Sequence, residues 1–242
     1  MRSNPFAVEA WFDYSITLTF AVPLAELKER LPPSLLADDF ENQFGFVAVA
    51  MVKTRRLRPK GLPAFLGRNF ILIGYRYFVR FQSKNGRRLR GLLILRSETD
   101  SPRMVTLGNL FTSYKYTKTG IRLEPKGNLM TADDPETGLY IEADLKPDHE
   151  VRIPESSPFQ DWKQARRFSG PMPFTFSDDA LRREVRIVEG VRSNWKPSPV
   201  EVREWKIPYL KSLGFSETRL ANAFVVRDVP YHWKAGRSEP WT

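Results

Sequence analysis

The chain has 242 residues, no cysteine, 13% aromatic residues, and 38 lysines and arginines against 28 acidic residues, a net charge of +10. That length suffices for one sizeable core, the aromatic content argues against disorder, and the absent thiols exclude disulfides and thiolate metal centres. No apolar run reaches the about 18 residues of a membrane span, and "MRSNPFAVEAWFD" lacks an apolar leader core, so a cytoplasmic protein with no membrane partner is expected.

The elements follow in chain order. "FDYSITLTFAV" alternates as a first strand, and "PLAELKERLPP" reads as a short amphipathic helix stopped by Pro32 and Pro33. "QFGFVAVAMVKT" is a buried, valine-rich strand, and "RLRPKGLPAFLG" is punctuated as a loop. "NFILIGYRYFVRFQ" and "RRLRGLLILRSE" form a hairpin through "KNG", with Arg76, Phe78 and Arg80 alternating against Tyr75, Tyr77 and Val79. "SPRMVTLGNLF" is a helix with Ser101 as N-cap, Pro102 at its first position, and Met104, Leu107 and Phe111 on one face.

A strand then carries Tyr114 and Tyr116 on one face and Lys115 on the other. "NLMTADDPETGLYIEADL" is a second hairpin, and "SPFQDWKQARRF" a third helix capped by Ser157. The remainder, including the closing "LANAFVVRDVPYHW", reads mostly as strand. Nineteen dispersed prolines suit many short strands joined by rigid turns, and no linker or repeat divides the chain. The expected class is β-rich α+β: a single domain over residues 1–242, with an antiparallel sheet curled on itself and a few short outer helices.

Most catalytic signatures are absent. His149 and His232 are the only histidines, and neither has metal-ligand spacing, so neither a metal nor a cofactor is expected. There is no phosphate-binding glycine loop and no nucleophile elbow. Glu98 and Asp100, in "RSETDSP", are either acid–base groups at a cavity mouth or caps for the following helix. Arg76 and Arg96 are candidate anchors for a carboxylate. "RSNW" sets Arg192 near Trp195, for binding or for simple stacking. Lys115 could act as an amine nucleophile if desolvated, or be an ordinary solvated lysine.

The stretches "LPPSLLADDFENQFGFVAVAMVKTRRLRPKGLPAFLG", "YRYFVRF", "ILRSETDSPRMVTLGNLFTSYKY" and "RLANAFVVRDVPYHW" together resemble the uncharacterised domain-of-unknown-function 2071 family of the acetoacetate decarboxylase-like superfamily. The resemblance implies a cone- or barrel-like sheet around a cavity. In the true decarboxylases the reactive lysine follows a glycine–arginine–glutamate–leucine run leading to Pro-Lys-Lys. By that comparison Lys115 matches the Schiff-base lysine. Tyr116 replaces the second, activating lysine, Tyr114 replaces the proline, and Asn109 stands where the run has glutamate. The activating cation is therefore missing, and whether the chain is an enzyme stays open.

The resulting expectation is a cavity that binds, and potentially transforms, a small oxo- or carboxylate-bearing metabolite. Lys115, Glu98 and Asp100 are the candidate catalytic groups, and Arg76, Arg96, Tyr114, Tyr116 and Asn109 the candidate binding groups. The alternatives are a non-catalytic ligand-binding protein and, ranked lower, a nucleic-acid or anionic-surface binder using "KTRRLRPK", "GRRLR" and "LRREVR". A homo-oligomer is compatible with all of these.

Overall fold

A computed structural model describes residues 4–147, 149–170 and 172–241. The elements run β1 (Val8–Pro23), α1 (Leu24–Glu29), β2 (Leu36–Ala37), β3 (Phe44–Pro59), β4 (Arg68–Gln82), β5 (Arg88–Thr99), α2 (Pro102–Phe111), β6 (Tyr116–Lys118), β7 (Arg122–Lys126), β8 (Leu129–Asp134) and β9 (Leu139–Asp144). They continue with α3 (Trp162–Ser169), β10 (Phe174–Asp179), β11 (Glu184–Arg192), β12 (Ser198–Pro199), β13 (Glu201–Lys206), α4 (Pro208–Ser212), β14 (Arg219–Trp233) and β15 (Arg237–Pro240).

The main sheet runs β14-β1-β3-β4-β5-β10-β11, and β11 returns to pair with β14. That closing contact spans only Gly190–Arg192 against Tyr231–Trp233. The sheet thus curls until its ends touch, short of a fully hydrogen-bonded barrel. It is mixed rather than purely antiparallel, because β10 and β6 both join β5 in parallel. A second sheet, β13-β9-β8-β7, covers one face of the first.

Alternation explains this layering. Ile16, Leu18 and Phe20 of β1, Val47, Val49 and Met51 of β3, and Ile73, Tyr75, Tyr77 and Val79 of β4 pack against Met130, Ile141 and Ala143 of the smaller sheet. The intervening residues point to the opposite face, which contains the cavity described below.

Three local expectations need correction. The segment read as a loop from Arg56 is strand as far as Pro59, with bulges in the β1–β3 ladder absorbing its prolonged twist. The third helix begins at Trp162, not near Ser157. Asp161 caps it by accepting from the Gln164 amide, while Ser157 accepts from Phe159 in the preceding turn. The strand through Lys115 shrinks to Tyr116–Lys118, because Lys115 adopts a left-handed conformation with φ 53°. Ser101 caps α2 as expected, accepting from the Met104 amide.

A buried ion cluster ties α3 to the sheet. The Asp38 side chain is fully enclosed and pairs with Arg80 of β4, and it accepts from Arg90 Nε and Nη2 of β5 at 2.8 and 2.6 Å. Arg90 also donates to the Phe168 carbonyl at 2.9 Å. Both bonding oxygens of the carboxylate are satisfied, which is what makes an enclosed charge tolerable.

Candidate binding site

A cavity of about 340 Å³ lies inside the curl, and every strand of the ring contributes to its wall. Phe12 and Thr17 come from β1, Val52 from β3, Arg76 and Phe78 from β4, Ile94 and Ser97 from β5, Thr175 from β10, Arg192 from β11, and Tyr231 and Trp233 from β14. Helix α2 closes one side with Met104, Leu107 and Phe111, the face expected from its spacing. The wall is chiefly apolar with a few polar groups, the usual composition of a small-molecule site.

Its charge is one-sided. Among the described residues the lining includes Arg58, Arg68, Arg76, Arg103, Arg192 and Lys234, and no aspartate or glutamate. Arg58 is paired with Glu9 at 2.6 Å, and Lys234 with Glu189 at 3.0 Å. Arg68 and Arg103 are exposed. Arg76 and Arg192 remain within.

Arg76 is the deepest cation. Its guanidinium folds back over Gly74, where an added Cβ would lie 2.7 Å from Nη2, so a side chain at that position would push the head group away. Its Nε is enclosed without a hydrogen-bond partner. Burial pushes its pKa below the ordinary arginine value, and the neighbouring tyrosines oppose that shift. An orphaned buried donor on a cation is expensive unless a ligand or water satisfies it.

The tyrosines complete the polar wall. Tyr114 and Tyr116 both face the cavity, as their shared parity predicts. Asn109 holds Tyr116 in place through its backbone: Nδ2 donates to the Tyr116 carbonyl at 2.7 Å, and Oδ1 accepts from its amide at 2.8 Å. Gly108 makes room for the Tyr116 ring, since a Cβ there would sit 2.5 Å from Cδ2. The Tyr114 hydroxyl lies beside Thr175 but has no hydrogen bond of adequate geometry. Burial raises the pKa of Tyr114, Tyr116 and Tyr231, keeping these hydroxyls protonated as donors.

The other candidates lie elsewhere. Lys115 is exposed and does not line the cavity; its carbonyl accepts from the Ser97 amide at 3.3 Å. The desolvated amine required for a Schiff base is therefore not found at this position. Asn109 positions Tyr116 rather than facing the cavity. Asp100 is exposed, and its carboxylate accepts from the Ile71 amide at 2.8 Å, a strand-end tie.

Glu98 and Arg96 point to the opposite face of β5. A register shift between Tyr75 and Arg76 leaves Leu95 unpaired, so Arg96 pairs with Tyr75 while Ile94 pairs with Arg76. There Glu98 is buried, accepts from Tyr75 Oη at 3.0 Å and pairs with Arg96 Nε at 2.9 Å, while Arg96 lies over the Tyr209 ring at 5.2 Å. Burial raises the Glu98 pKa, opposed by Arg96 and by the Tyr75 bond. A carboxyl raised in the folded state costs stability once it ionises. Relative to wild type, Glu98→Gln should therefore become progressively more stable as pH rises from the ordinary carboxylate range, about 4.3, through the raised folded value. Denaturant melts of both proteins across that window check this, and parallel pH profiles would contradict it.

Sequence reasoning passed over Tyr231 and did not place Arg192 and Trp195 in the site. The Arg192 guanidinium lies over Trp195 at 4.4 Å and over Tyr231 at 5.6 Å. The "RSNW" signal pointed to this stacking, but only the closure of β11 on β14 brings it into the cavity. His149 is exposed and 3.4 Å from Glu201. Among the described residues no group of three histidine, aspartate or glutamate side chains is placed to hold a metal. Among the same residues no helix is long and apolar enough to cross a membrane.

Comparison with known proteins agrees with this architecture. A family model described as an uncharacterized conserved protein matches residues 10–230. No curated protein matches the chain. Acetoacetate decarboxylase from Legionella pneumophila superposes with a TM-score of 0.62 at 8% identity, covering 98% of this chain and 89% of that one. An acetoacetate decarboxylase-like enzyme from Sphingomonas wittichii gives 0.60 at 12% identity, with 97% and 92% covered. The enduracididine biosynthesis enzyme MppR, complexed with pyruvate, gives 0.54 at 12% identity, with 97% and 90% covered. At these identities the likeness establishes the fold: a curled sheet of the acetoacetate decarboxylase type.

Proposed function

The chain belongs to the DUF2071 family, and we propose that it is a binding protein for a small anionic metabolite, a carboxylate or oxo acid, held inside the curled sheet with Arg76 as anchor. The observation that carries this reading is the pairing of an enclosed, partnerless Arg76 Nε with a lining that has no acid among the described residues. A carboxylate supplies the missing acceptor and the countercharge, Tyr114 and Tyr231 offer further donors, and the aromatic and aliphatic wall takes the ligand's body. That one relative binds pyruvate in the same fold fits this proposal.

Binding without covalent chemistry is favoured over a Schiff-base reaction. The lysine that lines the cavity, Lys234, is exposed and paired with Glu189, and Lys115 lies outside. Borohydride treatment with pyruvate should accordingly leave the mass of the protein unchanged, and Lys115→Ala should bind pentanoate as wild type does in calorimetry. A reduced adduct that disappears in Lys115→Ala would reinstate the Schiff-base reading. The nucleic-acid alternative is weakened because Arg55, Arg58 and Arg90 of the basic clusters are engaged by Asp13, Glu9 and Asp38.

A further inference from the structure

We infer that the ligand carries two negative charges, as a dicarboxylate or a phosphate monoester does, and that Arg76 and Arg192 share them. This rests on the reading that the cavity binds an anion, and it specifies which anion. Arg192 ends β11 at the point where the ring closes, paired with Tyr231. Its guanidinium lies over the rings of Trp195 and Tyr231, and its Nη2 is enclosed without a partner among the described residues. Arg76 presents an equally orphaned Nε to the same cavity from β4.

The remaining cations of the lining have acidic partners or are exposed, so these two are the ones the cavity leaves uncompensated among the described residues. Burial lowers the pKa of both, and Arg192 adds like-charge repulsion at Arg76. A monoanion neutralises one guanidinium and leaves the other desolvated beside it. A dianion neutralises both and accepts from both orphaned donors. Tyr231, which lies under Arg192 and lines the same cavity, has a protonated hydroxyl available to the same ligand.

The test is calorimetric titration of the full chain with pentanoate, glutarate and phenyl phosphate. Glutarate keeps the five-carbon length of pentanoate and adds the second carboxylate. At least one dianion should bind tenfold or more tightly than pentanoate, and glutarate or phenyl phosphate as the winner identifies the head group. Arg192→Met should erase that preference by weakening the favoured dianion at least tenfold more than it weakens pentanoate, and Arg192→Lys, which keeps the charge, should retain part of it. Phenyl phosphate gains its second charge near pH 6, about as phosphorylated side chains do, so if it is the winner its binding should tighten between pH 5 and pH 7.5 in wild type and not in Arg192→Met. Equal affinities for all three ligands, or a dianion preference that survives Arg192→Met, overturn the inference. Pentanoate binding that needs Arg76 but shows no dianion advantage would sink the inference and spare the anion reading. Binding of none of the three would sink both.

Discussion

Arg76→Met is expected to abolish pentanoate binding while leaving the unliganded protein at least as stable as wild type. Charge-assisted hydrogen bonds contribute about 1.5–3 kcal/mol, and truncating one partner of an enclosed charge pair costs about 2–5 kcal/mol, so affinity should fall by about two orders of magnitude or more. The stability effect has the opposite sign from that of most interior substitutions. Among the described residues the guanidinium has neither a countercharge nor a partner for Nε, and methionine has a similar reach without a charge to desolvate. A gain of about 1 kcal/mol would raise Tm by about 2–4 °C in a chain of this size. Calorimetry and thermal melts of the same two preparations read both effects. Lost affinity accompanied by a lower Tm would mean that Arg76 is a structural residue.

Asp38→Ala should have the largest effect on stability. The carboxylate is fully enclosed and holds Arg80 and Arg90 on adjacent strands, and Arg90 in turn reaches the end of α3 through the Phe168 carbonyl. Breaking a buried pair costs about 3–5 kcal/mol because the stranded partner stays charged. Here both arginines are about one-third exposed and can recover part of their hydration, which places the expected loss near the lower end, about 3 kcal/mol. That corresponds to a fall in Tm of about 6–12 °C. Asp38→Asn keeps a neutral acceptor and should lose less. Chemical denaturation of the three proteins checks this order, and an Asp38→Ala protein as stable as wild type would show that the cluster contributes nothing net.

The contrast between these two predictions follows from which arginines of one strand have a partner. Arg76 and Arg80 share a face of β4, and alternation in "YRYFVRF" shows as much. What separates them is tertiary: Asp38 comes from the segment before β3 and reaches Arg80, while among the described residues no acid reaches Arg76. Local patterns likewise identified the β4–β5 hairpin, the Ser101 cap and the common face of Tyr114 and Tyr116. Each depends on neighbours within a few residues.

What local pattern could not reveal depends on long-range closure. Alternation yields two faces for every strand but not which face is enclosed. That is decided by the pairing of Gly190–Arg192 with Tyr231–Trp233, segments about forty residues apart, and it brings Arg192, Trp195 and Tyr231 into the site. A single unpaired residue, Leu95, reverses the alternation that Leu92 and Ile94 follow and sends Arg96 and Glu98 to the other face. Lys115 is exposed while Tyr114 and Tyr116 line the cavity, the opposite sides that alternation assigns them, but its left-handed conformation, which the pattern did not show, starts the strand only at Tyr116. The resemblance to the decarboxylases pointed to a segment that lines the cavity through Tyr114 and Tyr116 and leaves Lys115 exposed.

The most direct measurement is a crystal structure of the protein soaked with 4-bromobenzoate, whose bromine marks its position by anomalous scattering. One ordered ligand is expected inside the curled sheet, its carboxylate within hydrogen-bond distance of Arg76 and its bromine against the apolar wall. Bromine peaks found only outside the ring, with the cavity holding water alone, would contradict it.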